Sequence, residues 1–253
     1  MKKTVNRKRI LYGIISAVFW IMVWQAVAMI YDMDFVLPSP LTTLKALMEN
    51  LRDIGFLKRI LFSVTRIMSG FLLAVSVSLL ISLISIRLRI LRILFDPFCV
   101  VLRAVPVASF IILVLVIFSS RNVSVVISFL IGFPVAYSTI VKGIDSVPTE
   151  LIETGDIFKM SFPRRLKYIY FPHLLSFFES GFSTSAGLCF KSGIAAEVIG
   201  YPMGSVGEAM YLAKIGFNMP DMLSYTVVIV IVSAAVEKLI VMLCRMPRRK
   251  REI

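Results

Sequence analysis

Pro148–Pro172 reads PTELIETGDIFKMSFPRRLKYIYFP, the longest amphipathic, charge-dense segment of a chain that is otherwise mostly apolar. Set on a helix, Leu151, Gly155, Phe158 and Phe162 share one face at i, i+4, i+7, i+11 spacing, with Glu150, Glu153 and Asp156 opposite. Acids lead, and Lys159, Arg164, Arg165 and Lys167 follow, an order that suits the helix dipole. Pro163, with Ser161 ahead of it as an N-cap, predicts two short helices with a corner between them. The segment is too polar to cross a bilayer, yet hydrophobic runs flank it on both sides. It reads as a wedge lying on one membrane face, offered to water or to a partner.

Composition agrees with that setting. Of 253 residues, 58% are hydrophobic and 17% charged, and the mean hydropathy is +0.88. Soluble chains run at roughly 45–50% apolar and about 25% charged, so this is an integral membrane protein built on the bilayer. The net charge of +13 invites a nucleic-acid reading. The bases cluster at the ends of apolar runs, however, where they set orientation, and no nucleic-acid partner is expected. Cys99, Cys189 and Cys244 have neither metal spacing nor an obvious pairing and read as packing residues.

Taken in order, residues 2–9 carry five cations and no acid, and Ile10–Ile30 follows without a charge. That run is longer than a signal peptide's apolar core, so it reads as a first span. Residues 31–59 form an external segment that opens with Asp32 and Asp34. A stiff Leu37-Pro38-Ser39-Pro40 leads there into a surface helix bearing Leu41, Leu44, Leu47, Met48 and Leu51. Further spans fall at about 60–86, 90–118, 123–144, 173–198 and 222–244. Asp96-Pro97 and Pro106 interrupt the third, and its first part reads equally well as an inner-surface helix. Residues 200–221 read as a Gly-rich external loop. Six crossings put the basic N-terminus, Arg87–Arg92, the Lys159–Lys167 cluster and the basic tail on one side, the cytoplasm. The expected fold is all-α and polytopic, one transmembrane domain over 1–253.

Catalytic signatures are missing. His173 is the one histidine, and neither Gly-x-Ser-x-Gly nor a phosphate-binding Gly-x-x-x-x-Gly-Lys-Ser/Thr occurs, so any ATP hydrolysis needs another chain. His173 reads as an interfacial side chain. Arg66, Glu179 and Glu237 lie within about two turns of a boundary and read as structural, their charged ends reaching to the interface. Lys191 lies deeper, and with Arg103 it is the candidate for lining a pathway.

Glu153-Thr154-Gly155, three residues, Lys159, nine residues, then Ile169-x-Phe171-Pro172 resembles the signature of binding-protein-dependent ABC importer permeases: Glu-Ala-Ala, three residues, Gly, nine residues, Ile-x-Leu-Pro. The nitrate/sulfonate/taurine-type branch is resembled further by Leu37-Pro38-Ser39-Pro40, Ser63-x-x-Arg66-x-x-x-Gly70-Phe71, Leu102-Arg103-x-x-Pro106, Phe133-Pro134, and Ala196-Glu197 before Gly204 and Gly207. These landmarks fall in order over residues 36–207. The resemblance implies a type I ABC importer permease fold in a bacterial inner membrane, with both termini cytoplasmic. It also implies that 148–172 is a coupling segment docking on a separate ATPase. Glu150, Glu153, Thr154, Gly155, Phe158 and Lys159 are then the contact residues, Gly155 admitting the partner backbone. Lys159 stands where the family has glycine, and it is expected to keep its stem on a helix face or reach a partner acid. A second permease copy and an extracytoplasmic solute-binding protein are implied as partners. ATP and magnesium sit on the ATPase, with no cofactor in this chain. The solute is a sulfonate- or nitrate-like anion or a vitamin precursor.

Two rival classes are weaker. An ion-driven secondary transporter should show internal repeats and matched broken helices, and the first half has no counterpart of 148–172. An intramembrane enzyme needs a reactive dyad at depth, and none is visible.

Overall fold

The computed structural model describes the backbone of residues 2–31, 33–34 and 36–249, and the side chains of 11–30, 33–34 and 36–245. The basic side chains of residues 2–9, Asp32 and the tail cations after Arg245 lie outside the described residues. Eleven α-helices follow in order: α1 Lys2–Tyr31, α2 Pro40–Asn50, α3 Ile54–Ser85, α4 Ile90–Ala104, α5 Val107–Ile117, α6 Val123–Asp145, α7 Thr149–Ile157, α8 Phe162–Arg165, α9 Phe171–Gly200, α10 Val206–Ile215 and α11 Met219–Arg249. No strand occurs among the described residues. The chain forms two compact units, Met1–Lys58 with Ala209–Val228, and Arg59–Glu208 with Ile229–Ile253.

In the first unit the Leu11–Ile30 stretch of α1 is long and apolar enough to cross a bilayer. The Pro-Ser-Pro entry then does what its residues dictate. The Thr42 amide donates to Ser39 Oγ at 3.1 Å, Pro40 opens α2, and Trp24 Nε1 donates to the Pro38 carbonyl at 3.2 Å. Asn50 Nδ2 closes α2 onto the start of α11, donating to Asp221 Oδ1 and Ser224 Oγ, each at 2.9 Å. Leu41, Leu44 and Met48 stay exposed on α2, as a surface helix requires. Residues 200–221 depart from expectation: α10 occupies the middle of that segment, Gly204 and Gly216 lie in its flanking turns, and Gly207 lies within α10 itself.

α3 starts at Ile54, still in the first unit and ahead of the expected 60. Asp53 caps it, accepting from the Gly55 and Phe56 amides at 2.9 and 3.2 Å. The third expected span is two helices. α4 and α5 meet at 104° across Val105-Pro106, because proline removes the next helical amide and forces Val105 into extended backbone. Among the described residues, four helices pass as membrane-crossing by length and composition, five if the bent pair counts as one.

α9 is long enough at 30 residues but is not among those four, since Glu179, Lys191, Glu197 and a run of Ser and Gly dilute it. Its burial explains the composition. α6 and α9 form the most extensive helix pair, and a helix facing other helices needs small residues more than oil. A Cβ on Gly132 would meet Cys189 Sγ at 2.7 Å, and one on Gly193 would meet Ile67 Cγ1 at 2.7 Å. Ser185 Oγ donates to the Gly132 carbonyl at 3.1 Å, and Ser128 Oγ donates to the Cys189 carbonyl at 3.3 Å. Cys99 and Cys189 are buried here as packing residues.

Candidate functional site

The stretch 148–172 folds as a short helix, a corner and a second helical run, but the corner is not at Pro163. α7 ends at Ile157 with Phe158 as its C-cap, and Lys159 turns the chain with φ +47°. The Met160 amide donates to the Gly155 carbonyl and the Lys159 amide to the Asp156 carbonyl, both at 2.9 Å. This is the paired 6→1 and 5→2 pattern whose reversing residue is usually glycine. Lys159 therefore leaves the helix face, the first of the two placements expected of it, and keeps the tight corner in the left-handed conformation. Ser161 stands at the N-cap position of α8, but its hydroxyl makes no capping bond, and Pro163 fits in the first turn. The run continues through a π-helical turn, Leu166–Tyr170, into α9. The wider turn accommodates Pro172, which has no amide for the carbonyl four residues back.

A left-handed lysine costs roughly 1–2 kcal/mol, and glycine's extra unfolded freedom gives back about 0.5–1. Lys159→Gly is thus expected to raise the thermal midpoint of the purified chain by about 1–3 °C. Lys159→Ile, β-branched in the same conformation, should lower it. Differential scanning fluorimetry in detergent reads both.

Arg165 holds this corner from below. Its Nε donates to the Met160 carbonyl at 3.0 Å, its Nη2 to the Gly155 carbonyl at 3.1 Å, and it pairs with Asp156 at 2.5 Å. Arg87 lies 4.1 Å over the Phe162 ring. Gly155 is buried by its own chain, where an added Cβ would meet Ile169 Cδ1 at 3.0 Å, so it is not a surface for a partner backbone. The expected Leu151–Gly155–Phe158–Phe162 face is replaced by an inward Ile152 and Gly155 and an outward set. Glu150, Leu151, Glu153, Thr154, Ile157 and Phe158 face out, and Ile157 and Phe158 are 78% and 75% exposed. Sequence reasoning missed Ile157 because it carried one helix through to Phe162. Burial holds the Tyr170 phenol above its ordinary pKa range, so this residue behind the corner stays neutral.

Lys191 and Arg103 do not come together. Arg103 ends α4 with its Nε on the Cys99 carbonyl at 3.2 Å. Lys191 sits on an exposed polar stripe of α9, with Ser176, Ser180 and Thr184 below it at four- to seven-residue steps. Against that stripe runs the second half of α11, antiparallel. Glu179 accepts from Arg245 Nε at 2.8 Å, and a Cβ on Gly187 would meet Glu237 Oε1 at 2.5 Å. Two cavities open along the groove, about 540 Å³ at Ser176–Arg245 and about 420 Å³ at Lys191 and Glu237. Each charge in hydrocarbon costs at least about 2.5–3.5 kcal/mol, so such a face is unsuited to lipid tails. Glu237, read from sequence as structural, belongs to this groove.

Glu197 is the polar residue that sequence reasoning used only as a landmark. It is fully buried, with Oε2 accepting from Ser63 Oγ at 2.5 Å and the Gly207 amide at 3.4 Å. Ser63 Oγ in turn accepts from the Val206 amide at 2.9 Å, so α3, α9 and α10 meet on one carboxylate. Arg66 donates to Asn122 Oδ1 at 2.8 Å, which ties α3 to the Ser120–Asn122 turn in the structural role expected.

A multi-span helical chain with an outward amphipathic corner and a polar groove along α9 has the anatomy of a transport component of a membrane. It belongs to the family of binding-protein-dependent transport system inner membrane components, which matches residues 67–245. A Methanocaldococcus jannaschii protein named as an ABC transporter permease is 24% identical over 224 residues, 86% of this chain and 82% of its own length. A Bacillus subtilis protein named as an aliphatic sulfonates transport permease, SsuC, is 24% identical over 81% of this chain and 75% of its own. The nitrate import permease protein NrtB of Synechococcus elongatus is 25% identical over 78% and 74%.

Proposed function

We propose that this chain is the pathway-forming subunit of an ATP-driven importer and that α7 with its corner docks on a separate ATPase. The observation that carries the reading is the outward face of α7. Its apolar Leu151, Ile157 and Phe158 are flanked by Glu150 and Glu153 on a helix whose inner face is locked to its own chain. Exposed apolar side chains rimmed by charge suit a protein groove. Six crossings follow if the bent α4–α5 pair and α9 each span, with both termini and the corner in the cytoplasm. Two copies enclose the pathway, an extracytoplasmic binding protein delivers a small sulfonate-like, nitrate-like or vitamin-precursor solute, and ATP with magnesium stays on the ATPase. Closure of the ATPases then tilts the helices that follow the corner, which needs partners that favour different bundle states.

Ile157→Asp with Phe158→Asp is the test, since neither side chain packs inside the chain. Co-purification of the ATPase should fall at least about tenfold, from losing two buried apolar anchors, with the elution profile of the permease unchanged. Undiminished ATPase recovery would sink the docking role.

A further inference from the structure

Behind α7, on the side away from its outward face, lies a cluster of cations. The apolar run of α3, long enough to cross a bilayer, ends at Ser85. Arg87, Arg89 and Arg92 follow with no acid between them, so they stand at a membrane boundary. Two of the three are engaged: Arg87 lies over the Phe162 ring, and Arg92 Nη1 pairs with Asp145 Oδ1 at 2.7 Å. Among the described residues the Arg89 guanidinium has no hydrogen bond, ion pair or ring partner. It lines a cavity of about 520 Å³ with Arg92, Ile93, Thr149, Ile152 and Tyr170, all of them in the second unit. Asp145 is the one acid on that cavity, and Arg92 already holds it. One positive charge is left uncompensated there.

The rim beside that charge is apolar. Arg89, at the N-cap of α4, is one turn from Ile93, which lines the cavity and is exposed. Ile90, Ile93 and Leu94 share one exposed face of α4 at i, i+3, i+4 spacing. A soluble anion gains nothing from such a face. A membrane lipid gains from both, its head on the arginine and a tail along the helix.

We propose that this cavity binds the headgroup of an anionic phospholipid, its phosphate on Arg89 and an acyl chain along Ile90, Ile93 and Leu94. Ile152 and Tyr170 also line the adjoining cavity of about 360 Å³, which carries Arg87 and Arg165. The bound head therefore lies against the inner side of α7, and the site stands or falls independently of what docks on the outer side.

Native mass spectrometry of the full-length permease in detergent tests it, by titration with dioleoylphosphatidylglycerol and, separately, dioleoylphosphatidylcholine. The anionic lipid should bind about fivefold tighter, and Arg89→Gln should erase that preference, the effect of one arginine on an anionic head. Asp145→Asn, which releases Arg92, should strengthen the anionic lipid by a similar factor. Arg164→Gln removes an exposed cation of α8 outside the cavity and should change neither affinity. An equal loss in Arg164→Gln would overturn the proposal in favour of general surface charge, and equal affinity of the parent chain for both lipids would overturn it outright. Displacement of the lipid by inorganic phosphate at the same concentration would give the site to a soluble anion. Release of the lipid when ATPase subunits assemble on the permease would give Arg89 to a protein. Either of these results also overturns it.

Discussion

Replacing Arg165 by methionine is expected to release the 149–160 corner while leaving α9 in place. Three groups lose a donor at once: the Met160 carbonyl, the Asp156 carboxylate and the Gly155 carbonyl, which keeps only the Met160 amide. The Asp156 side chain is 62% exposed, so that arm counts for little beside the two carbonyls. Charge-assisted bonds to the carbonyls contribute together about 2–3 kcal/mol, and a nine-residue helix cannot hold itself without tertiary support. Amide exchange over 149–160 should therefore rise by roughly 30-fold or more, with exchange over 171–200 unchanged. Arg165→Lys, which keeps charge but not the fork, should fall between. In the reconstituted transporter the methionine variant should lose most solute uptake while its ATPase subunit still hydrolyses ATP. Wild-type exchange in the corner would show that Arg165 is not its clamp.

A single methyl at Gly207 is the second large effect. A Cβ there would press into the Glu197 backbone carbon, its Cβ and the Val198 amide, and these are fixed parts of the last turns of α9. Nothing flexible is available to yield, so Gly207→Ala must part α10 from α9 and stretch the Gly207 amide away from Glu197. Overpacking of this kind costs about 1–3 kcal/mol, which predicts a thermal midpoint lower by roughly 3–10 °C. Glu197→Gln keeps the shape and still accepts from Ser63 Oγ, so it should cost far less. Equal losses in the two variants would make the node one of charge rather than of close packing.

Much of this architecture is visible in composition, because apolar runs bounded by basic clusters report the bilayer directly. The α3, α6 and α11 boundaries fall within about six residues of expectation, and the largest error, at Ile54, comes from one aspartate acting as a cap. Tertiary contacts decide what the pattern could not. Residues 148–172 have a strong helical period, yet the period runs straight through the place where the chain turns. Only the Lys159 backbone and the Arg165 bonds show that Leu151 and Phe162 are on different helices. Gly155 is small for its own Ile169, which spacing within one helix cannot reveal. Glu237 looks like a snorkelling boundary residue until α9 is laid beside it and Gly187 meets its carboxylate. The glycine position taken by lysine is legible as a departure, and the structure puts that lysine in a left-handed conformation that glycine adopts at lower cost.

The most direct test puts a photo-crosslinking amino acid at residue 158 and, separately, at residue 152, in the assembled transporter. Phe158 is exposed on the outward side of the corner, and Ile152 is packed inward. Adducts with the ATPase subunit from 158 and none from 152 are the predicted result. Adducts from neither position, or from 152 in preference to 158, would contradict docking through this face of α7.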